Sequence, residues 1–88
     1  MYKVLKFSAT WCAPCKKSTN DIETNSWPFE NIELTHYDVE NNDEVVDAYG
    51  VMNIPLFVIL KDNVEITRKV GYSTYTDLIN WVKQNTQE

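Results

Sequence analysis

Apolar residues in the first stretch, Tyr2 to Ala9, fall on both registers of an extended chain: Tyr2 and Val4 on one, Leu5 and Phe7 on the other. That pattern predicts a strand covered on both faces and paired in parallel, hence the centre of a sheet. A helix is predicted over about Ala13 to Asn25, opened by Thr10 to Cys12 and carrying a thin apolar face of Cys15, Ile22 and Thr19. Trp27-Pro28-Phe29 ends it, because proline cannot continue a helix and pushes its predecessor toward extended geometry. Asn31 to Val39 reads as a second strand with imperfect alternation, Ile32 and Leu34 followed after a break by Tyr37 and Val39.

A short helix over about Asn42 to Tyr49 has a full set of start and stop signals. Asn42 stands at the cap, Asp43 and Glu44 lie in the first turn, Val45, Ala48 and Tyr49 form the apolar face, and Gly50 closes it. Pro55 to Leu60 and Val64 to Val70 are strand-like runs joined by Lys61-Asp62-Asn63, whose Asp and Asn tolerate the left-handed conformations of a tight hairpin turn. The last helix, about Thr74 to Gln84, has Thr74 and Asp77 spaced as a capping box and a stripe of Tyr75, Leu78, Ile79 and Val82. The order βαβαββα predicts an α/β chain: a four-stranded mixed sheet with helices on both faces.

Length and composition narrow the picture. Eighty-eight residues, 43% hydrophobic and 12% aromatic, are expected to form one folded domain spanning 1–88. Thirteen acidic against eight basic side chains leave a net charge of −5, which opposes binding to phosphate backbones and anionic membranes, so neither nucleic acid nor membrane is an expected partner. The lysine-interrupted start Met1 to Phe7 has no apolar run long enough for a signal-peptide core or a membrane span. A cytoplasmic location follows as the default. In that reducing compartment a single cysteine pair is expected to be catalytic or metal-binding rather than a structural staple.

The candidate chemistry lies where the first strand meets the first helix, in Phe7-Ser8-Ala9-Thr10-Trp11-Cys12-Ala13-Pro14-Cys15-Lys16-Lys17. Two cysteines at i and i+3 on a first helical turn have Cα atoms roughly 5 to 6 Å apart, inside the range a disulfide needs. The leading Cys12 lies beside unpaired helix N–H groups and the positive end of the helix dipole, which favour a thiolate, so it is the expected nucleophile. Cys15, one turn further in, is expected to be more buried and to stay a thiol until a mixed disulfide must be resolved. Pro14 gives up an N–H the first turn could not have bonded and stiffens the loop. The pair could instead be half of a zinc site, but with His36 it supplies only three ligands of the usual four. A disulfide three residues wide would restrain almost no loop.

Trp11-Cys12-Ala13-Pro14-Cys15-Lys16 resembles the active-site motif of the thioredoxin family, with alanine for the usual glycine. Ile54-Pro55, about forty residues on, resembles the family's cis-proline loop, and Val70-Gly71 resembles the glycine-containing turn that closes the substrate groove. The resemblance covers nearly the whole chain and implies the minimal thioredoxin fold, as in short archaeal or phage-encoded members, since the strand and helix that usually precede the active-site strand have no counterpart here. It also implies a dithiol–disulfide oxidoreductase, monomeric and needing no cofactor or metal. Disulfide-containing proteins would be its substrates, and a thioredoxin reductase or a glutathione or glutaredoxin system its electron donor. Substrate would lie across Trp11, Ile54, Pro55, Val70 and Gly71, a flat apolar patch suited to many partners. Ala13-Pro14 lacks the basic residue of strongly oxidising relatives, which favours a reductase.

One departure stands out. At the position where the family typically has a buried aspartate that relays the resolving cysteine's proton, this chain has Lys6, and the usual lysine partner falls at His36. An unpaired charged lysine on a central strand must find an acid, lose its proton or reach solvent. Asp38, on the same face of its strand as His36, is the expected acid. Three arrangements are open: a charged Lys6 beside Asp38 that favours thiolates, a neutral Lys6 that accepts the Cys15 proton, or a side chain that snorkels to water. The remaining acids Glu40, Asp43 and Glu44 are expected to be a solvated rim and Met52 loop packing. Two other readings stay open. One is a glutaredoxin-like enzyme using glutathione, against which stand Trp11 and the sequence Gly71-Tyr72-Ser73-Thr74; the other is a non-catalytic or metal-bridged interaction module.

Overall fold

A computed structural model describes residues 1–87. Its elements are β1 (Tyr2–Ser8), α1 (Ala13–Asn25), β2 (Glu33–Asp38), α2 (Asp43–Tyr49), β3 (Leu56–Lys61), β4 (Val64–Val70) and α3 (Tyr75–Asn85). The four strands form one sheet in the order β2-β1-β3-β4, with β1 parallel to β2 and antiparallel to β3, and β3 antiparallel to β4. β1 is therefore central, as its two-sided apolar pattern requires, and five consecutive residues from Val4 to Ser8 are buried.

The two faces of the sheet carry separate cores. Val4, Phe57 and Ile59 pack with Ile22 of α1 and Leu78 and Val82 of α3 on one side. On the other, Leu5, Phe7, Leu56, Val58 and Leu60 pack against α2 through Val45, Val46 and Tyr49. Alternation along β1 and β3 thus divides one strand pair between two apolar layers, each covered by helices.

Local signals explain where elements start and stop. α1 ends at Asn25 because Ser26 turns to a positive φ of 70°, and the following Trp27 packs edge-on to Phe29 at 5.2 Å while donating its indole N–H to the Ile32 carbonyl at 2.7 Å. Gly50 closes α2 in the left-handed region, and Thr74 caps α3 by accepting the Asp77 N–H at 3.2 Å. The β3–β4 hairpin turns on Asp62 and Asn63, both at positive φ, the pattern of a tight two-residue turn. A register shift between Ile59 and Leu60 leaves Ile66 unpaired, a β-bulge that the alternation did not foretell.

Several expected details differ. Asn42 sits before α2 but its side chain does not cap it; its amide donates to the Asp38 carbonyl at 2.8 Å, tying the helix start back to β2. Ala48 is exposed, and Val46 takes its place on the inner face. Met52 is not packed into the loop but 90% exposed. Ser18 rather than Thr19 is the fully buried polar residue of α1.

Candidate active site

The loop Ala9 to Cys12 leaves the carboxyl end of the central strand and enters α1. Cys12 occupies the N-cap with extended backbone (φ −94°, ψ 107°), and Pro14 lies in the first turn, where its missing N–H leaves no bond unmade. Cys12 N–H donates to the Ala9 carbonyl at 3.2 Å and the Cys12 carbonyl accepts from Lys16 N–H at 3.1 Å, so its backbone is fixed from both sides. The Cys12 sulfur accepts the Cys15 N–H at 3.3 Å. A backbone donor aimed at Sγ, the helix dipole and a helix start holding Lys16 and Lys17 but no acid in its first turn all favour negative charge on this sulfur.

Cys12 and Cys15 are joined as a disulfide with Cα atoms 5.2 Å apart, within the expected span. Cys12 retains 7% of its surface and Cys15 only 1%. With Ala9 they form a small apolar cluster against which Val39 and Ile54 pack.

Two of the segments expected to line a substrate groove are linked physically. The Ile54-Pro55 peptide is cis, and the Pro55 carbonyl accepts the Gly71 N–H at 2.8 Å, with Gly71 at φ +90°. That conformation suits glycine and few other residues. Trp11, next to Cys12 in the chain, is 68% exposed and Val70, next to Gly71, is 58% exposed, so both present large apolar side chains to solvent. Around this wall Tyr72 Oη donates to Asp21 of α1 at 2.5 Å, and the Lys17 ammonium lies 4.9 Å from the Tyr72 ring centre. Nothing in the local sequence signals these two tyrosine contacts, since each joins residues more than fifty positions apart.

Behind Cys15 the surroundings are polar. Lys6 is only 1% exposed and is the largest fully buried side chain. Its expected pairing with Asp38 is not made. Lys6 Nζ donates instead to Thr19 Oγ1 at 2.6 Å and lies 5.9 Å from the Phe57 ring centre, and the carboxylate it feels most is Glu23 of α1. Burial lowers its pKa from 10.5 to about 8, with Glu23 opposing the shift. Asp38 fails as the partner because it pairs in register with Ser8, two positions beyond the Lys6–His36 pair. Its carboxylate is used by the turn, accepting from Glu40 N–H at 2.9 Å and Asn41 Nδ2 at 3.4 Å. His36 hydrogen-bonds through Nε2 to Ser8 Oγ, and burial, then the Lys6 charge, lowers its pKa.

With this geometry in place, comparison with known proteins decides the family. The thioredoxin family model matches residues 2–84. The chain belongs to the thioredoxin family. A thioredoxin of Rickettsia bellii is 30% identical over 83 residues, covering 93% of this chain and 79% of the relative. Thioredoxin H5 of Oryza sativa is 38% identical over 68 residues, 77% of this chain and 50% of that protein. Among solved structures, Fasciola hepatica thioredoxin superposes with a TM-score of 0.84 at 30% identity, over 94% of this chain and 79% of that one. A mutant thioredoxin from Halobacterium salinarum gives 0.86 at 25% identity, over 99% and 76%.

As a thioredoxin-family protein with its two cysteines at bonding distance, the chain is a dithiol–disulfide oxidoreductase acting through Cys12 and Cys15. Disulfide-bearing proteins and a reducing partner are its general counterparts. No helix among the described residues is long and apolar enough to cross a membrane.

Proposed function

We propose that this chain, acting as one monomeric domain over residues 1–88, reduces disulfides of protein substrates in the cytoplasm. Cys12 is the nucleophile. As a thiolate it attacks a target sulfur, the target's other sulfur leaves as a thiol, and a mixed disulfide forms on Cys12. Cys15 then attacks Cys12, releasing the second target thiol and leaving the internal disulfide. Two electrons pass to the target, and a thioredoxin reductase or a glutathione or glutaredoxin system restores the dithiol.

Trp11, Ile54, Pro55, Val70 and Gly71 bind the substrate, with the Ile54 backbone pairing to an extended target segment as a short added strand. Pro14 keeps the helix mouth rigid. The observation that carries this reading is the inequality of the two sulfurs: the more exposed one stands at the helix mouth with a backbone N–H aimed at it, and the other is sealed beneath it.

The test is turnover of a disulfide-bonded protein substrate, followed by equilibration of the chain against graded redox buffers. Catalytic reduction at a low, reducing potential is expected. A protein that stays inert toward protein disulfides, or turns over only a small glutathione mixed disulfide, would overturn it.

A further inference from the structure

The two lysines that follow Cys15 reach different places. Lys16 lines the pocket between α1 and β2, whereas the exposed Lys17 reaches the turn after β4 and sets its ammonium 4.9 Å from the Tyr72 ring centre. That turn belongs to the expected groove. Tyr72 follows Gly71, whose N–H is bound to the Pro55 carbonyl, and Ile54 packs against the cluster of Cys12 and Cys15. Lys17 stands five residues after Cys12, about 7.5 Å further along the helix axis. A closed circuit of contacts thus runs from the sulfurs through Ile54, Pro55, Gly71 and Tyr72 back to α1, and it carries a positive charge.

The charge is left available. Asp21, one turn on from Lys17, is the acid placed by sequence to neutralise it. Its carboxylate accepts the Tyr72 hydroxyl at 2.5 Å instead, and among the described residues no carboxylate forms an ion pair with Lys17. Tyr72 therefore acts twice: its ring face holds the ammonium, and its hydroxyl engages the competing acid. The chain as a whole carries a charge of −5, but at physiological salt charges farther away than about 8 Å are screened, so local sign decides. That sign differs across the sheet. Asp38 and Glu40 flank Val39, which packs on the cysteines from the β2 edge, while Lys17 lies toward β4 at the opposite edge.

We propose that Lys17, held against Tyr72, is a specificity-determining residue that selects protein disulfides bearing an acidic side chain beside the attacked cysteine, on the Gly71 side of the groove. This rests on the oxidoreductase reading and names a substrate class within it. Lys17 makes and breaks no bond. Cys12 attacks and Cys15 resolves as before, and the lysine strengthens only the encounter with a target whose carboxylate comes to lie opposite it.

The experiment uses three disulfide-bonded peptides, identical except for Asp, Asn or Lys on both sides of each cysteine. For each peptide kcat/KM is measured at low salt with the parent chain, Lys17→Met, Lys17→Glu and Tyr72→Leu. The readout is the Asp-to-Lys ratio. Lys17 also belongs to the helix mouth that favours the Cys12 thiolate, but a change in that thiolate scales all three peptides alike and cancels from the ratio. An exposed ion pair is worth a factor of about 1.5 to 5, so Lys17→Met is expected to lower the ratio roughly threefold, and Lys17→Glu, which reverses the charge, roughly tenfold. Tyr72→Leu, which releases Asp21 to pair with Lys17, is expected to lower it about twofold. A ratio that stays at the parent value in Lys17→Met and Lys17→Glu, or that Tyr72→Leu leaves unmoved, would overturn the proposal. A parent chain that reduces none of the peptides, the Asn one included, would instead defeat the oxidoreductase reading on which it rests.

Discussion

The two sides of the cysteine pair are built to opposite rules. On the Cys12 side the surface is apolar and open: Trp11 and Val70 stand out into solvent and the Gly71 backbone is tied to the Pro55 carbonyl. On the Cys15 side the groups are polar: Lys6 is buried, the half-buried Thr19 is its hydrogen-bond partner, and the exposed His36 is bonded to Ser8. Exposed apolar area gains free energy from any partner that covers it, which is what the proposed substrate face would require. A buried amine carries a desolvation penalty, here met by a single hydrogen bond to Thr19 and opposed by the Glu23 carboxylate.

The largest expected effect separates the two sulfurs. Cys15→Ser should abolish turnover while trapping a protein substrate as a stable mixed disulfide on Cys12, visible on a non-reducing gel; Cys12→Ser should trap nothing. Equal trapping by both variants would erase the distinction between the sides.

Next is the penalty of burying Lys6. Its pKa is lowered on folding, so between about pH 8 and 10.5 the unfolded chain binds a proton that the folded one does not, and stability rises with pH across that window. Below about pH 8 both states are protonated and the cost is full, on the order of 3 kcal/mol from 10.5 against about 8. Lys6→Met should therefore unfold later in urea at pH 7 and lose the alkaline rise. Urea midpoints at pH 7 and 10 check this.

The apolar side should respond more gently. Trp11→Ala is expected to lower kcat/KM for a protein disulfide roughly tenfold, in line with about 1.4 kcal/mol of lost contact, and to leave a small aromatic disulfide nearly unaffected. Comparing the two substrates on one preparation makes the measurement. The smallest effect lies away from both sides: Thr74→Ala removes the α3 cap and should cost about 1 kcal/mol of stability, read from urea midpoints, without altering exchange kinetics.

Much of this molecule was legible in its local patterns. Two-register hydrophobicity made β1 central, the Asp62-Asn63 turn fixed a hairpin, and Gly50 and Thr74 marked helix ends, because each signal acts within a few residues. The Cys12-Ala13-Pro14-Cys15 spacing likewise set the sulfur geometry, since one helical turn does. Lys6 was visible as an anomaly. Its partner was not: strand register placed Asp38 beside Ser8, and the orientation of α1 over the sheet brought Thr19 and Glu23 to the lysine. The pocket behind Cys15, the Tyr72–Asp21 bond and the outward Met52 were decided in the same way. Periodicity says which face of an element is buried, but not which residue of another element it meets; that depends on how helices settle across a twisted sheet, and only the folded chain determines it.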